Sequence, residues 1–227
     1  MPSQVPMPGT RIPDPVVRLL GAGIEPMWRN EVGGLTFATA TTVVKWNPHG
    51  NGIDLRHEAG RLAWAQGRIP APRLLEMDED DDGQWLASER MPGLRNAIAR
   101  GTDPVAAARG IARGLRALHA LPVEDCPFEW RAESRGGVDV PPLEQIVVCH
   151  GDACAPNTLL DASGSFAALV DLGALGLADR WADLAVASMS LEWNFDEDLQ
   201  DEFFAAYGVE PDAERIRYYR DLWNTQP

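Results

Sequence analysis

The chain has 227 residues, 45% of them hydrophobic and 24% charged, a composition typical of a globular protein with one large domain or two small lobes. Its formal net charge of −14 disfavours nucleic acid as a partner and favours cationic partners. No apolar run reaches the ~20 residues of a membrane span, and the first residues lack the pattern of a secretory signal, so we expect neither membrane association nor secretion.

The first part of the chain is predicted to form mainly β-strands. The proline-rich residues 1–15 indicate an extended arm, and a glycine pair within residues 31–39 predicts a turn between two strands. Further strands are predicted at residues 41–46, 73–77 and 85–91. One helix interrupts them at residues 54–66, where apolar side chains recur at helical spacing until Gly67 ends the pattern.

The second part of the chain is predicted to be mainly helical. It begins after Pro92-Gly93, a natural hinge, and Asp103-Pro104 then supplies an N-cap and a proline at the first helical position. Further helices are predicted at 182–191, 199–207 and from about 212, with short buried strands at 146–149 and 166–170. This order predicts an α+β fold of two lobes, a small β-rich lobe at residues 1–92 and a larger helical lobe at residues 93–227.

The densest chemical pattern is Cys149-His-Gly-Asp-Ala-Cys-Ala-Pro-Asn157, followed by Asp171-Leu-Gly173. Phosphoryl transfer needs a carboxylate that orients the attacking hydroxyl group and oxygen ligands that hold Mg²⁺. Asp152 can act as the base, and Asn157 and Asp171 offer the hard oxygen atoms that Mg²⁺ prefers. The spacing His-Gly-Asp-x-x-x-x-Asn with a later Asp-Leu-Gly resembles the catalytic loop and the metal-binding Asp-Phe-Gly of kinases.

The residues that would position the nucleotide are predicted in the β-rich part. Lys45 ends a β-branched strand and would contact the phosphates, while Glu58 on the following helix would pair with Lys45. Gly33 and Gly34 would cover the phosphates as a flexible turn. Each of these residue types is common, so it is their order along the chain that favours a site for ATP or GTP with Mg²⁺.

These motifs identify a resemblance to the aminoglycoside phosphotransferases, above all to the aminoglycoside 3′-phosphotransferase branch. The similar segments are residues 29–37, 118–128, 150–157 and 171–185. The resemblance implies a bilobal protein-kinase-like fold and ATP-dependent transfer of phosphate to a small cationic alcohol, with an aminoglycoside as the first candidate. It also implies that Asp152 is the catalytic base, that Asn157 and Asp171 bind magnesium, and that Lys45 contacts the phosphates.

The chain departs from this family pattern in three places. Ala174 stands where the family often has an arginine, and residues 131–146 are much shorter than the helical insertion that usually forms part of the substrate wall. The last residues, 223–227, replace carboxylates that hold the ammonium groups of the drug. Four other acidic residues could attract ammonium groups, or could form only a solvated turn: Glu192, Asp196, Glu197 and Asp198.

Three other functions remain as alternatives. A kinase of a different small-molecule alcohol would use the same motifs. A protein kinase is disfavoured, because Gly151 stands where protein kinases place an arginine and no Ala-Pro-Glu follows Asp171. A catalytically weak nucleotide- or ligand-binding module is disfavoured by the complete set of predicted site residues.

The cysteines suggest neither a disulfide framework nor a zinc site. Cys126, Cys149 and Cys154 are few and odd in number, which favours the reducing cytoplasm. Cys149 and Cys154 could ligate zinc together with His150 and Asp152, but the spacing lacks a paired Cys-x-x-Cys, so the kinase interpretation ranks above zinc.

Two further residues are predicted to support the site. Asp183 lies at the start of a helix and, by similarity to kinases, should accept hydrogen bonds from the backbone of the loop that carries Asp152; the alternative is stabilisation of the helix dipole. His150 is expected to brace that loop rather than transfer protons, and His119 to serve packing or capping.

Overall fold

The computed structural model describes residue 6, residues 9–130 and residues 140–225. The chain divides into two compact units, Met1–Gln66 with Pro72–Pro92 (unit 1) and Gly67–Ala71 with Gly93–Pro227 (unit 2). The residues at 67–71 group with unit 2, where the N–H of Leu169 donates to the carbonyl of Pro70 at 3.0 Å. The assignment of nucleotide binding to residues 1–92 and of catalysis to residues 93–227 stays a prediction.

Unit 1 is built on an antiparallel sheet with the strand order β1-β2-β3-β5-β4. Its strands are β1 (Glu25–Arg29), β2 (Leu35–Ala38), β3 (Thr42–Pro48), β4 (Leu74–Glu79) and β5 (Gly83–Glu89). The predicted turn between β1 and β2 is confirmed, and so is the interrupting helix, α2 (Leu55–Ala65), whose N-cap Asp54 accepts a hydrogen bond from the N–H of Arg56.

The predicted extended arm is wrong at its end. The structure begins α1 (Asp14–Leu20) there, with Pro15 in the first turn, where a missing N–H costs nothing. Val16 and Leu20 of α1 are buried in the core of unit 1 against Phe37 and Trp85. Burial of these apolar side chains outweighs the extended preference of a proline-rich sequence. Residues 1–5 and 7–8 of the predicted arm lie outside the described residues.

Unit 2 is mainly helical, as predicted. Its helices are α3 (Pro104–His119), α4 (Trp181–Asn194), α5 (Gln200–Tyr207) and α6 (Ala213–Trp223). Its strands are β6 (Arg95–Asn96), β7 (Ile146–Cys149), β8 (Thr158–Leu160), β9 (Phe166–Leu169) and β10 (Gly176–Asp179). β7 pairs with β10, and β8 lies between β6 and β9. The α+β class predicted for the chain is confirmed.

Helix α4 forms the centre of unit 2. Its first eleven residues, 181–191, are all buried, and Trp181, Leu184 and Leu191 belong to the same core cluster as Ile111 and Phe203 of neighbouring helices. A helix buried on all sides must have its polar side chains hydrogen-bonded within the protein. Among the described residues, no helix is long and apolar enough to cross a membrane.

Candidate active site

A buried carboxylate holds the loop that follows β7, residues 150–157, which we call the Asp152 loop. Asp183 of α4 is fully buried and accepts hydrogen bonds from the backbone N–H of His150 (2.6 Å) and of Gly151 (2.9 Å). The predicted contact between Asp183 and the loop backbone is therefore confirmed. Burial acts to raise the pKa of Asp183, but the hydrogen bond and charge of His119 hold it below its usual value.

His119 links this carboxylate to two more helices. Its Nε2 lies 2.9 Å from Asp183 Oδ2, and its Nδ1 lies 2.8 Å from the hydroxyl oxygen of Tyr207 on α5. All three side chains are buried. His119 was expected to pack or cap; it is buried and packs edge-on against Tyr207, and its hydrogen bonds also make it part of the support of the Asp152 loop.

The backbone conformation and close neighbours of Gly151 require glycine at the position where protein kinases have arginine. Its φ of 82° lies in the region that favours glycine, and a Cβ atom would collide with the backbone carbonyl of Ala174 and with the ring of Trp130. Trp130 Nε1 also donates to the carbonyl oxygen of Gly151 at 3.2 Å. The Asp152 loop consequently packs directly against the turn that follows Asp171.

The carboxylate of Asp152 is oriented by Asn157. Asn157 Nδ2 donates to the backbone carbonyl of Asp152 (2.9 Å) and to its Oδ2 (3.2 Å). Asp152 Oδ1 is buried and has no hydrogen-bond partner among the residues that the structure describes. A buried unpaired oxygen costs about 1–3 kcal/mol, so a hydrogen-bond donor on a ligand would stabilise it.

The side chains of His150 and Ser190 also hold the Asp152 loop in place. His150 Nε2 lies 2.9 Å from the carbonyl oxygen of Val170, and its Nδ1 accepts a longer hydrogen bond from the N–H of Asp152. This confirms the expected bracing role of His150. Ser190 Oγ of α4 accepts a hydrogen bond from the N–H of Ala155 at 2.9 Å, a contact that no sequence pattern signalled.

Asn157 directly precedes β8 and Asp171 closely follows β9, so both lie at the same end of this strand pair. The N–H of Val170 donates to the carbonyl of Asn157 at 2.9 Å. Asp171 has φ 61° and ψ 53°, and among the described non-glycine residues it alone has a positive φ. Such a backbone costs ~1–2 kcal/mol and is concentrated at functional sites. The amide nitrogen of Asn157 is engaged by Asp152, which leaves its amide oxygen, with the Asp171 carboxylate, as a donor set that fits Mg²⁺.

Unit 1 holds the predicted lysine–glutamate pair. Lys45 Nζ lies 2.7 Å from Glu58 Oε1, and both side chains are largely buried. The pairing is therefore confirmed, although Lys45 lies in the middle of β3 rather than at its end. Gln84 of β5 fixes the start of α2 by accepting a hydrogen bond from the N–H of Leu55 at 2.9 Å. Contact of Lys45 with phosphates stays a prediction.

The turn with Gly33 and Gly34 is braced by asparagines that the sequence patterns do not predict. The N–H of Gly34 donates to Asn30 Oδ1 at 2.6 Å, and a Cβ there would come within 2.9 Å of Asn47 Oδ1. Asn51 Nδ2 donates to the carbonyl of Val32 (3.1 Å) and to Asn47 Oδ1 (2.8 Å). The turn is thus tied to the end of β3, so it is more constrained than the flexible cover we predicted.

The zinc alternative gains no support. Among the described residues, the group with suitably close ligand atoms is His119, Cys149 and Asp183, a different set from the one considered above. Burial, with the charge of Asp183, raises the pKa of the Cys149 thiol well above its usual value, so the thiolate that zinc requires is disfavoured. Burial and the charge of Asp152 likewise raise the pKa of Cys154.

A cavity of about 570 Å³ lies in unit 2, lined by α4, α5 and α6. Trp193, which is 53% exposed, lies on its wall with its ring centroid 5.5 Å from that of Trp223. Glu192 also lines the cavity and forms an ion pair with Arg220. All four acidic residues predicted to attract cations are exposed. Glu192 is already paired, and Asp198 accepts a hydrogen bond from the N–H of Gln200 at the start of α5.

Comparison with known proteins places these features in a family. The model of a phosphotransferase enzyme family matches residues 17–139 and 137–219. An aminoglycoside 3′-phosphotransferase from Streptomyces fradiae is 35% identical, over 77% of this chain and 81% of its own. A streptomycin 3″-kinase from Streptomyces griseus is 33% identical over 97% of each chain.

The alignment with the streptomycin kinase spans 270 positions, more than the 227 residues of this chain, so the relative contains residues that this chain lacks. The two stretches matched by the family model meet at 137–139, within the segment predicted to be short. This segment falls mostly in residues 131–139, outside the described residues.

Solved structures agree with the predicted fold. An aminoglycoside phosphotransferase from Streptomyces rimosus has a TM-score of 0.73 and 29% identity, covering 88% of this chain and 92% of its own. Its complex with ADP and streptomycin has a TM-score of 0.71 and 30% identity, covering 88% of this chain and 91% of that chain. The protein-kinase-like fold class is confirmed.

Proposed function

Since the chain belongs to the phosphotransferase enzyme family, we propose that it transfers the γ-phosphate of ATP to a hydroxyl group of an aminoglycoside. The observation that carries this proposal is the buried Oδ1 of Asp152, which lacks a hydrogen-bond partner among the described residues while Asn157 holds the rest of the carboxylate in place. An acceptor hydroxyl group would supply the missing partner.

Asp152 would orient the acceptor and remove its proton. The hydrogen bond from Asn157 to Oδ2 fixes the carboxylate, so Oδ1 is presented in one direction. Support from Asp183 keeps the backbone of the loop from shifting when the acceptor binds. Positioning of this kind contributes much of the rate enhancement in phosphoryl transfer, because the transition state needs the hydroxyl oxygen in line with the leaving group.

Asn157 and Asp171 would hold Mg²⁺ through their side-chain oxygen atoms. When bound, the ion neutralises negative charge on the phosphates and so stabilises the transition state. The left-handed backbone of Asp171 sets the direction in which its side chain leaves the chain. Two protein ligands suffice for Mg²⁺, which usually retains several waters and phosphate oxygens.

Lys45 would bind the phosphates of the nucleotide, with Glu58 holding its ammonium group in place. The 2.7 Å contact between them restricts a lysine side chain that would otherwise sample many rotamers. The turn containing Gly33 and Gly34 would lie over the phosphates as a shaped cover, because the N–H groups of both glycines already donate to Asn30. We propose ATP as the donor, with GTP as the alternative to be tested.

The acceptor would be polycationic. The chain carries a net charge of −14, and Asp196 and Glu197 are exposed just beyond α4. Two relatives support an aminoglycoside: the streptomycin 3″-kinase, which aligns over nearly the whole chain, and the Streptomyces rimosus enzyme in complex with ADP and streptomycin. Streptomycin is therefore the first acceptor to test.

The proposal is tested by measuring phosphate transfer from ATP and from GTP to streptomycin, to other aminoglycosides and to a neutral polyol such as glycerol. We expect turnover with at least one aminoglycoside and none with glycerol. The Asp152→Asn protein serves as the control for contaminating kinases. Nucleotide binding without transfer to any acceptor would instead support the weak binding module, and transfer to neutral alcohols alone would support a kinase of another substrate.

A further inference from the structure

Arg220 of α6 forms a bidentate ion pair with Glu192, with one hydrogen bond to each carboxylate oxygen. Its Nη2 donates to Glu192 Oε1 at 2.8 Å, and its Nη1 donates to Oε2 at 3.2 Å. The same guanidinium donates to Ser188 Oγ at 3.0 Å and, through Nε, to the carbonyl of Ala185 at 3.4 Å. These two contacts tie the guanidinium to the buried part of α4 in addition to its ion pair with Glu192.

The cavity beside this pair is electrically balanced. Its charged lining residues are two acids, Glu192 and Asp221, and two arginines, Arg217 and Arg220. Their formal charges cancel, whereas the whole chain carries −14. A cavity that binds a polycation should carry negative charge, so this balance lowers its attraction for ammonium groups.

Helix α4 connects this cavity to the Asp152 loop. Ser190 contacts the loop, and Trp193, three residues later on the same side of the helix, lies on the cavity wall. The two positions are ~4.5 Å apart along the helix axis at 1.5 Å per residue. Trp193 and its neighbour Trp223 present aromatic surface, which attracts cations and packs against sugar rings.

We propose that Arg220 is a specificity-determining residue that acts as a built-in counter-cation, weakening the binding of highly charged acceptors at Glu192. The inference rests on the proposed function, because it takes the α4–α6 cavity as the place where the acceptor binds. Glu192 is 47% exposed at its side chain and can still accept a hydrogen bond from an ammonium group. The nearby guanidinium charge then repels that group, and this repulsion grows with the number of charges on the acceptor.

The central test replaces Arg220 with glutamine and measures the KM for a series of aminoglycosides with different numbers of ammonium groups. Arg220→Gln should lower the acceptor KM by ~3- to 10-fold, most for the acceptor with the most charges, with the KM for MgATP as the internal reference. The gain should shrink as salt is raised, since partly exposed charges are screened.

A matched control exists on another face of unit 2. Arg109 forms an ion pair of the same length, 2.8 Å, with Glu202 and does not line the cavity. Arg109→Gln makes the same change in net charge, so an equal drop in acceptor KM in both variants would overturn the proposal. Arg220→Lys keeps the charge and should change the KM less than Arg220→Gln.

A second variant keeps the test decisive if Arg220→Gln does not fold. Glu192→Gln leaves Arg220 without its counter-charge and should raise the acceptor KM by ~3- to 10-fold at low salt. An unchanged or higher KM in folded Arg220→Gln, or an unchanged KM in Glu192→Gln, would overturn the role of Arg220.

Failure of the proposed function is distinguishable from failure of this inference. If the wild type phosphorylates no aminoglycoside, the proposed function is wrong. The role of Arg220 is then tested by measuring streptomycin binding to the wild type and to Arg220→Gln by calorimetric titration. Tighter binding by Arg220→Gln than by the wild type would support the counter-cation, and equal, weaker or absent binding would overturn it.

Discussion

At the scale of single residues, Asp152 combines an unpaired carboxylate oxygen with a fixed rotamer. Asp152→Asn preserves the shape of the side chain but removes the base, so we expect turnover to fall by ~10²- to 10⁴-fold with MgATP binding retained. Because the substitution also removes a buried charge, the melting temperature should stay equal or rise. Steady-state kinetics, calorimetry and thermal melts test this; a folded Asp152→Asn protein with near-normal turnover would contradict the assignment.

Asp171 offers a cleaner test of metal binding than most metal ligands, because asparagine and glycine both tolerate its left-handed backbone. Asp171→Asn and Asp171→Gly should therefore fold, yet both should require far more Mg²⁺ for turnover because a charged oxygen ligand is lost. Asn157→Ala should act in the same direction. Titration of activity with Mg²⁺ measures the effect, and unchanged Mg²⁺ dependence in all three would rule out the metal role.

Lys45 and Glu58 should behave as one unit. Lys45→Ala is expected to raise the KM for ATP and lower kcat, and Glu58→Gln should do the same more weakly because it acts only by holding Lys45. In the double variant the Glu58 substitution should add almost nothing, since contacting residues are not additive. A Glu58→Gln protein more impaired than Lys45→Ala would show that Glu58 has a separate role.

At the scale of elements, Asp183 joins α4 to the Asp152 loop and to α3. Its pKa is lowered in the folded protein, so its stabilising contribution is complete above the unfolded pKa near 4 and is lost as pH falls through the lower folded pKa. Asp183→Asn should reduce the free energy of unfolding at pH 7 by at least ~2 kcal/mol, because two backbone N–H donors lose a charged acceptor.

Urea unfolding at several pH values measures this contribution. The difference between the wild type and Asp183→Asn should narrow as pH falls below 4, because the Asp183 carboxyl group is then protonated in the unfolded wild type and, at still lower pH, in the folded wild type. Tyr207→Phe, which removes the hydrogen bond between the Tyr207 hydroxyl and His119 but leaves Asp183 in place, should cost no more than ~1.5 kcal/mol. A constant difference between pH 7 and pH 3 would argue against the linkage.

Helices and strands that are marked by nearby residues, such as an N-cap, were predictable from the sequence. Strands that form only by pairing with a segment far away in the chain were not. Asp54, Asp103 and Asp212 cap three helices whose starts were predicted to within about a residue. β6 has two residues, too few to show a period, and β10 forms by pairing with β7 some thirty residues earlier. α1 was missed because its prolines hide a helix that tertiary burial stabilises.

The proposed active site shows the same division. Asp152, Asn157 and Asp171 belong to one spaced motif, so the sequence alone pointed to them. The contact of Asn51 with Val32 and the Glu192–Arg220 pair join positions that are distant along the chain, and no local pattern marks them. Reaction type is therefore easier to predict from this sequence than acceptor preference.

At the scale of the whole molecule, the net charge of −14 has a kinetic consequence. A polycationic acceptor should be drawn to the protein by long-range attraction, so its KM should rise with ionic strength, whereas the KM for anionic MgATP should change less. Measuring the KM of the acceptor and of MgATP in a series of buffers from low to physiological salt tests this expectation. Equal salt effects on both substrates would argue that charge complementarity is unimportant.

Helix α4 also sets how this protein can change over evolution. Its residues 181–191 are buried, so most replacements there would disturb the core or the Asp152 loop. Glu192 and Trp193, the next two residues of the helix, are exposed and line the cavity. Selection for new drug acceptors should therefore accumulate changes at these two positions while leaving the chemistry intact, and a saturation library sorted for folding should tolerate substitutions at 192 and 193 but be depleted at 181–191.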